Sequence, residues 1–163
     1  VCNARHHGGP DQAVYLYREE DYDWWSEQLG REVAAGAFGD NLTLRGLPEA
    51  HLVIGSRLRL PELLLEVSAP RIPCNTLAER MEDPAFVKAF VAAERPGIYC
   101  RVIEPGRVRT GDSVSLEPYE GDQVSTLDLF RDSYRKLGAD ELRRYLAVPI
   151  DIRTRTRFEA KLP

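Results

Sequence analysis

Apolar positions in this chain change their spacing near residue 121, and the change separates two kinds of structure. Upstream they fall in short runs or alternate with polar residues, the two-residue period of β-strands. Such runs predict strands at residues 13–17, 42–44, 51–54, 57–60, 63–67, 98–103, 107–109 and 113–116. Turn signals separate them, among them Gly36 to Asn41, Gly55, Pro105-Gly106 and Gly111-Asp112. Three helical stretches interrupt the strands. Residues 21–29 carry Tyr22, Trp25 and Leu29 on one face, residues 76–81 form a short piece, and residues 84–94 follow an Asp83 cap with Pro84 at the first helical position. Beyond residue 121 the spacing is helical throughout. Ser125 or Thr126 caps a helix with Leu127, Phe130 and Tyr134 on one face, Asp140 opens a second, and Asp151 caps a third that carries Ile152, Phe158 and Leu162. Three short helices bury little alone, so they are expected to pack on each other or on the strands. The predicted fold is mainly β with α: a compact antiparallel β-barrel over residues 1–121 and a three-helix unit over residues 122–163.

Composition narrows the function classes. At 163 residues the chain fits one domain with a small appendage, and its apolar and charged fractions are those of an ordinary globular protein. A net charge of −4 argues against a general nucleic-acid binder. Negative charge dominates up to about residue 123 and positive charge beyond it, which reinforces the division near residue 121; the basic tail is read as solvating helix faces. No apolar run has the length to cross a bilayer, so no membrane partner is expected. Three widely spaced cysteines offer neither a disulfide framework nor a metal knuckle, as expected of a cytoplasmic protein.

Candidate chemistry concentrates in Ser68-Ala69-Pro70-Arg71-Ile72-Pro73-Cys74-Asn75, between a strand and a helix. Two prolines stiffen the approach to Cys74, and Thr76-Leu77-Ala78-Glu79 has the spacing of a helix-opening capping box. The thiol therefore faces unpaired backbone N–H groups and the positive end of a helix dipole, with Arg71 close by. This setting favours the thiolate, the form that attacks electrophiles or ligates a soft metal. A lone cysteine without other signals reads as an inert core thiol, and Cys100, sharing a strand face with Ile98 and Val102, is read that way. The paired glycines of His6-His7-Gly8-Gly9-Pro10-Asp11 permit positive φ and close backbone approach. His6 and His7 are adjacent and point opposite ways in extended backbone, so one is expected to face a pocket and the other to be structural. Asp40 and Asn41 follow a glycine and serve either turn chemistry or ligand contact.

In order along the chain stand Arg5-His6-His7-Gly8-Gly9-Pro10-Asp11-Gln12-Ala13-Val14, Phe38-Gly39-Asp40-Asn41-Leu42, Ile54-Gly55 and Pro70-Arg71-x-Pro73-Cys74. This ordered set resembles the MOSC domain, the C-terminal domain of molybdenum cofactor sulfurases, in its bacterial YiiM-like branch, where a small three-helix domain often follows. The resemblance implies a MOSC-type barrel related to the pyruvate kinase β-barrel. Members of that family usually carry strands upstream of the His-His-Gly-Gly block, and this chain starts almost on it, so the barrel is expected to show an open side or an exposed strand edge.

The resemblance further implies the molybdenum cofactor, Mo-molybdopterin, with Cys74 as the protein thiolate on the metal. Arg71 is the best-placed cation for the pterin phosphate, followed by Arg5 and Arg101, although Arg101 reads equally as a solvated arginine. Asn41, Asp40, Gly8 and Gly9 are implied cofactor contacts, with Asn41 ahead of Asp40 because a neutral amide costs less beside an anion. His6 or His7, or an acid near the Gly8-Gly9 turn, is the implied proton source. The activity so implied is two-electron reduction of small N-hydroxylated compounds such as hydroxylaminopurines, hydroxylamines or amidoximes. No dinucleotide, flavin or iron–sulfur pattern is visible, so electrons are expected from a separate reductase; a homodimer is compatible with this reading. Two alternatives stand beside it: a sulfur carrier with a persulfide on Cys74, and a non-catalytic barrel with docking helices.

Overall fold

The computed structural model describes residues 8–47 and 52–162. Six strands form one sheet: β1 (Val14–Arg18), β2 (Leu42–Leu44), β3 (Arg57–Arg59), β4 (Leu64–Pro70), β5 (Ile98–Glu104) and β6 (Ser115–Glu117). Their order is β2-β1-β5-β4-β3-β6. Every pairing is antiparallel except β1 with β2, so the expected antiparallel barrel is corrected to a mixed sheet. Between these two strands lies helix α1 (Glu19–Leu29), and a crossover of that length lets β2 return parallel. Among the described residues the ladder ends at β2 and β6, and the sheet is a half-barrel rather than a closed one.

Both faces of the central strands are covered. Along β1 the side chains alternate, sending Tyr15 and Tyr17 to one core and Leu16 to the other. The first core is aromatic and lies under α1, α2 (Asn75–Met81) and α3 (Phe86–Ala93). Phe38 sits at its middle, with ring centroids of Tyr17, Tyr22, Trp25, Phe86 and Phe90 all within 5.8 Å. The second core, inside the curve of the sheet, is aliphatic: Leu16, Leu58, Leu65, Val67 and Ile98, with Cys100 buried among them. A third core joins α4 (Thr126–Asp132), α5 (Ala139–Leu146) and α6 (Ile152–Glu159) to Ile54 and Val124. The tail also sits against the sheet itself, since α4 packs on β4.

Local signals explain most element ends, and several departures have clear causes. Ser125 caps α4 through a reciprocal capping box with Asp128, and Asp151 caps α6 by accepting from the Thr154 N–H at 3.2 Å. The expected box at Thr76–Glu79 does not form: α2 starts one residue earlier, its N-cap is Cys74, and Thr76 lies inside the first turn. Asp83 closes a turn by accepting from the Ala85 N–H at 2.8 Å, so α3 begins at Phe86 rather than at Pro84. Asp140 lies within α5, whose N-cap is Gly138, held by the Glu141 carboxylate at 2.8 Å. The expected strand at 107–109 is a loop that folds on itself, with Asp112 accepting from the Arg109 N–H at 2.8 Å. In place of a strand at 51–54 there is one bridge, Val53 to Ser125, and His51 lies outside the described residues. β4 runs past Val67 to Pro70 because all seven of its residues are buried and a bulge at Ser68 keeps it in register with β5.

Because Phe38 is 1 % exposed and touches five aromatic rings, Phe38→Ala should cost about 3–5 kcal/mol. Urea unfolding of the variant beside the parent chain reads this directly as a lower midpoint at an unchanged slope.

Candidate functional site

β4 ends by delivering Arg71 and Cys74 to the rim of the sheet. Cys74 is extended, with φ −134° and ψ 174°, and half-buried at the start of α2. Arg71 is fixed before it by neutral partners: a guanidinium nitrogen donates to the Phe38 carbonyl oxygen, and its carbon lies 4.9 Å from the centre of the Tyr15 ring. Burial works against the Arg71 charge, but Tyr15, Tyr99 and Cys74 outweigh it and raise its pKa, so the guanidinium stays ionised. Burial likewise pushes the phenols of Tyr15 and Tyr99 up, opposed by Arg71, and both remain neutral.

Beside Cys74 opens a cavity of about 1010 Å³ with two walls of different origin. The sheet wall runs from Ala69 to Thr76 and includes Tyr99; the tail wall holds Leu129, Ser133, Asp151, Arg153, Thr154 and Arg157. Gln12 joins them, its amide nitrogen 3.5 Å from Asp151 Oδ1 and its oxygen accepting from Arg153 at 3.2 Å. Arg153 and Arg157 are four residues apart on α6 and so share a helix face. With Arg71 they make three arginines to one carboxylate, that of Asp151, around the space. Such a field concentrates anions.

Cys74 and Arg71, expected at the site, both line this cavity. Gly8 and Gly9 do not, but they shape the adjoining turn with φ of 77° and 106°, and a side chain at Gly9 would come within 4.0 Å of Arg153. Asp40 and Asn41 do not line it, and both tie their loop to the first strand and helix or within itself. Asp40 accepts from the hydroxyls of Tyr22 and Thr43, while Asn41 pairs with Tyr15 through both backbone and side chain. Their loop nonetheless reaches the site through the Phe38 carbonyl that holds Arg71. Arg101 is engaged elsewhere, in ion pairs with Asp11 at 3.0 Å and Glu66 at 3.2 Å and in hydrogen bonds to the carbonyls of Pro149 and Ile150. It clamps the tail onto the sheet. Arg5, His6 and His7 lie outside the described residues.

The tail wall was not legible in advance. Its basic residues read as solvated helix faces, yet Arg153 and Arg157 line the cavity. The usable signal was the Arg-x-x-x-Arg spacing directly after an Asp cap, which puts two guanidiniums on one helix face, the first of them in the turn that the carboxylate caps. Tyr99, on the strand face opposite Cys100, also lines the cavity.

Fold and site together define a small half-barrel domain that presents the Cys74 thiol to a cationic cavity walled on one side by a helical tail. The chain belongs to the MOSC domain family, whose model matches residues 3–115. It is 43 % identical to YflK of Bacillus subtilis over 110 residues, 68 % of this chain and 50 % of that protein. It is 34 % identical over 119 residues to a protein of Gibberella moniliformis named reductase, 69 % of this chain and 21 % of that one. The crystal structure of YiiM from Geobacillus stearothermophilus superposes with a TM-score of 0.88 at 30 % identity, covering 96 % of this chain and 81 % of that one. The chain thus spans half the length, or less, of these curated relatives. No helix among the described residues is long and apolar enough to cross a membrane.

The two described cysteines should differ sharply in reactivity. Cys100 is fully buried and its thiol is pushed up by burial, whereas Cys74 opens on the cavity. Brief iodoacetamide treatment of the native chain followed by peptide mapping should find Cys74 alkylated and Cys100 intact, with Cys100 labelled only after denaturation.

Proposed function

We propose that this protein is an oxidoreductase that holds the molybdenum cofactor in the Cys74 cavity and reduces N-hydroxylated compounds. The observation that carries this reading is the meeting of a half-buried thiol with three arginines in one space of about 1010 Å³. That volume is at the upper end for small-molecule sites, enough for a cofactor with a small substrate beside it.

The donor set fits the group. A soft thiolate suits a metal that also takes sulfur ligands from its pterin. Among the described residues no cluster of three or more His, Cys, Asp or Glu stands ready to hold a metal ion by protein ligands alone, so the fit rests on Cys74 as a single protein ligand. Arginine forks suit a phosphate, and Arg71 is already oriented by Phe38 and Tyr15 before any ligand arrives. When bound, the cofactor supplies two-electron oxygen-atom chemistry.

In this reading Cys74 holds the metal, Arg71 anchors the cofactor from the sheet wall, and Arg153 and Arg157 close over it from the tail. Removing oxygen from an N–OH group consumes two electrons and two protons and gives the amine and water. Tyr99 lines the space as a neutral phenol and is a poor acid at neutral pH. The proton source is therefore assigned to His6 or His7, which run straight into the Gly8-Gly9 turn beside Arg153. Electrons are assigned to a separate reductase.

Elemental analysis for molybdenum and fluorescence analysis for pterin, on protein freshly purified from a cofactor-competent host, test the proposal. Wild type should carry both, Cys74→Ser should lose the metal, and Arg71→Ala should retain a small fraction of the pterin. Wild type free of both, with a persulfide found on Cys74 by mass spectrometry, would overturn it in favour of sulfur transfer.

A further inference from the structure

The loop from Phe38 to Asn41 ends in two polar side chains that do not line the cavity, yet the contacts of both lead to Arg71. Two groups hold the Arg71 guanidinium: the Phe38 carbonyl oxygen, to which it donates, and the Tyr15 ring, whose centre lies 4.9 Å from its carbon. Asp40 stands behind the first of these and Asn41 behind the second.

On the Asp40 side the link is the Tyr22 hydroxyl, which donates to Asp40 Oδ1 and accepts from the Phe38 N–H at 3.1 Å. Thr43 donates to the other carboxylate oxygen at 2.6 Å. With its one proton committed to Asp40, the Tyr22 oxygen is oriented to accept. Phe38 is therefore fixed by its N–H and by its ring, which stacks on Tyr22 at 5.1 Å between centroids, and its carbonyl meets Arg71. On the Asn41 side the link is Tyr15. The β1–β2 ladder begins with Leu16 and Leu42, one residue beyond it. Asn41 extends the ladder backwards, its side-chain oxygen accepting from the Tyr15 N–H at 2.7 Å and its own N–H donating to the Tyr15 carbonyl at 2.8 Å. At the far end of the ring the Tyr15 hydroxyl donates to the Pro96 carbonyl at 2.9 Å. Turn chemistry alone accounts for neither arrangement, because a turn needs bonds within its own loop, whereas Asp40 reaches α1 and Asn41 reaches β1.

We propose that Asp40 and Asn41 are positioning residues for Arg71, Asp40 acting through Tyr22 and the Phe38 backbone and Asn41 acting through Tyr15. A long arginine side chain held in place beforehand loses less freedom when an anion arrives, so the loop serves the cavity without touching its ligand. The value of this to the protein rests on Arg71 anchoring the cofactor as proposed above; the positioning itself does not.

The test reads Arg71 directly. Full-length chain, made in a host without the cofactor, is labelled with nitrogen-15, and the Arg71 Nε–H signal is assigned by its loss in Arg71→Lys. In wild type its order parameter should be about 0.85, as for rigid backbone, and in Asp40→Ala and Asn41→Ala it should fall below about 0.6. Asn41→Asp, which keeps the accepting oxygen, should stay rigid. Asp132→Ala is the control: Asp132 also accepts from a tyrosine hydroxyl, that of Tyr145 at 2.7 Å, but in the tail core. Tyr22→Phe and Asn41→Ser replace an alanine variant that does not fold. A mobile Arg71 in wild type overturns the proposal, as does equal loosening in Asp132→Ala, and a variant that leaves Arg71 rigid overturns the assignment of that residue. Pterin release from protein made in a cofactor-competent host separates this from the earlier reading. It should be about two- to tenfold faster in both alanine variants. Unchanged release beside a loosened Arg71, or wild type without pterin, ends the role of Arg71 as cofactor anchor and leaves the positioning assignment standing on the Nε–H signal.

Discussion

A buried strand must have its backbone groups satisfied from both sides, and in this protein that requirement assembles the site. β4 is buried along all of its length, flanked by β3 and β5. At Ser68 the register with β5 shifts, and the residue drops out of the ladder between the Val67–Cys100 and Ala69–Tyr99 pairs. Its groups are met instead by three other parts of the chain. The hydroxyl lies within hydrogen-bond reach of the Asp11 and Tyr99 carbonyls, and the Ser68 carbonyl accepts from the Asp151 N–H. One bulge therefore ties together the turn after Gly8-Gly9, the neighbouring strand and the start of α6. Two residues beyond it the strand ends at Pro70, already in the cavity wall, and Arg71 follows.

Charge placement separates the arginines that hold the fold from those that face the cavity. Arg57, Arg59 and Arg101 are matched by carboxylates along the sheet, from Glu66, Glu104, Glu117 and Asp11. Arg71 is more buried than the exposed members of that group and meets a carbonyl and an aromatic face instead. A half-desolvated cation without a carboxylate gains most when an anion enters the space in front of it. Tightness of binding and a standing cost in the empty cavity are then two sides of one arrangement, which is the pattern of a preorganised site.

The sheet and its helices were largely legible because alternation and helical spacing are strong where strands and helices are half-buried. β1, β5, α1 and the three tail helices follow from periodicity, and Ser125 and Asp151, unlike Asp140, act as the caps the sequence indicates. The misses lie where tertiary contact overrules local pattern. β4 continues through Ser68 to Pro70 only because the turn and the tail complete its hydrogen bonds, and no local signal encodes that. Residues 107–109 alternate like a strand but pair with no strand among the described residues. At the site, Arg71 and Cys74 were readable from one segment, since prolines and a helix start are local features. Arg153 and Arg157 were not, because their approach to Cys74 depends on a docking interface built from Asp11, Arg101 and Ser68, far away in sequence.

That interface has a consequence for how function is divided along the chain. The MOSC model matches through residue 115, while the wall facing Cys74 is contributed by residues 129–157. Under the proposed function, the thiolate and Arg71 belong to the part shared with the family, and Asp151, Arg153 and Arg157 belong to the part beyond it. Chemistry at the metal would then be set by the half-barrel, whereas the shape and polarity presented to the rest of the ligand would be set by the tail. Because α6 is held by Asp11 accepting from the Ile152 N–H at 2.8 Å and by Ser68, the tail can vary in side chains without moving as a body. Under the same reading, a rigid wall with replaceable side chains would let one cofactor site serve different substrates, with changes at Arg157 or Thr154 altering recognition and leaving Cys74 in place.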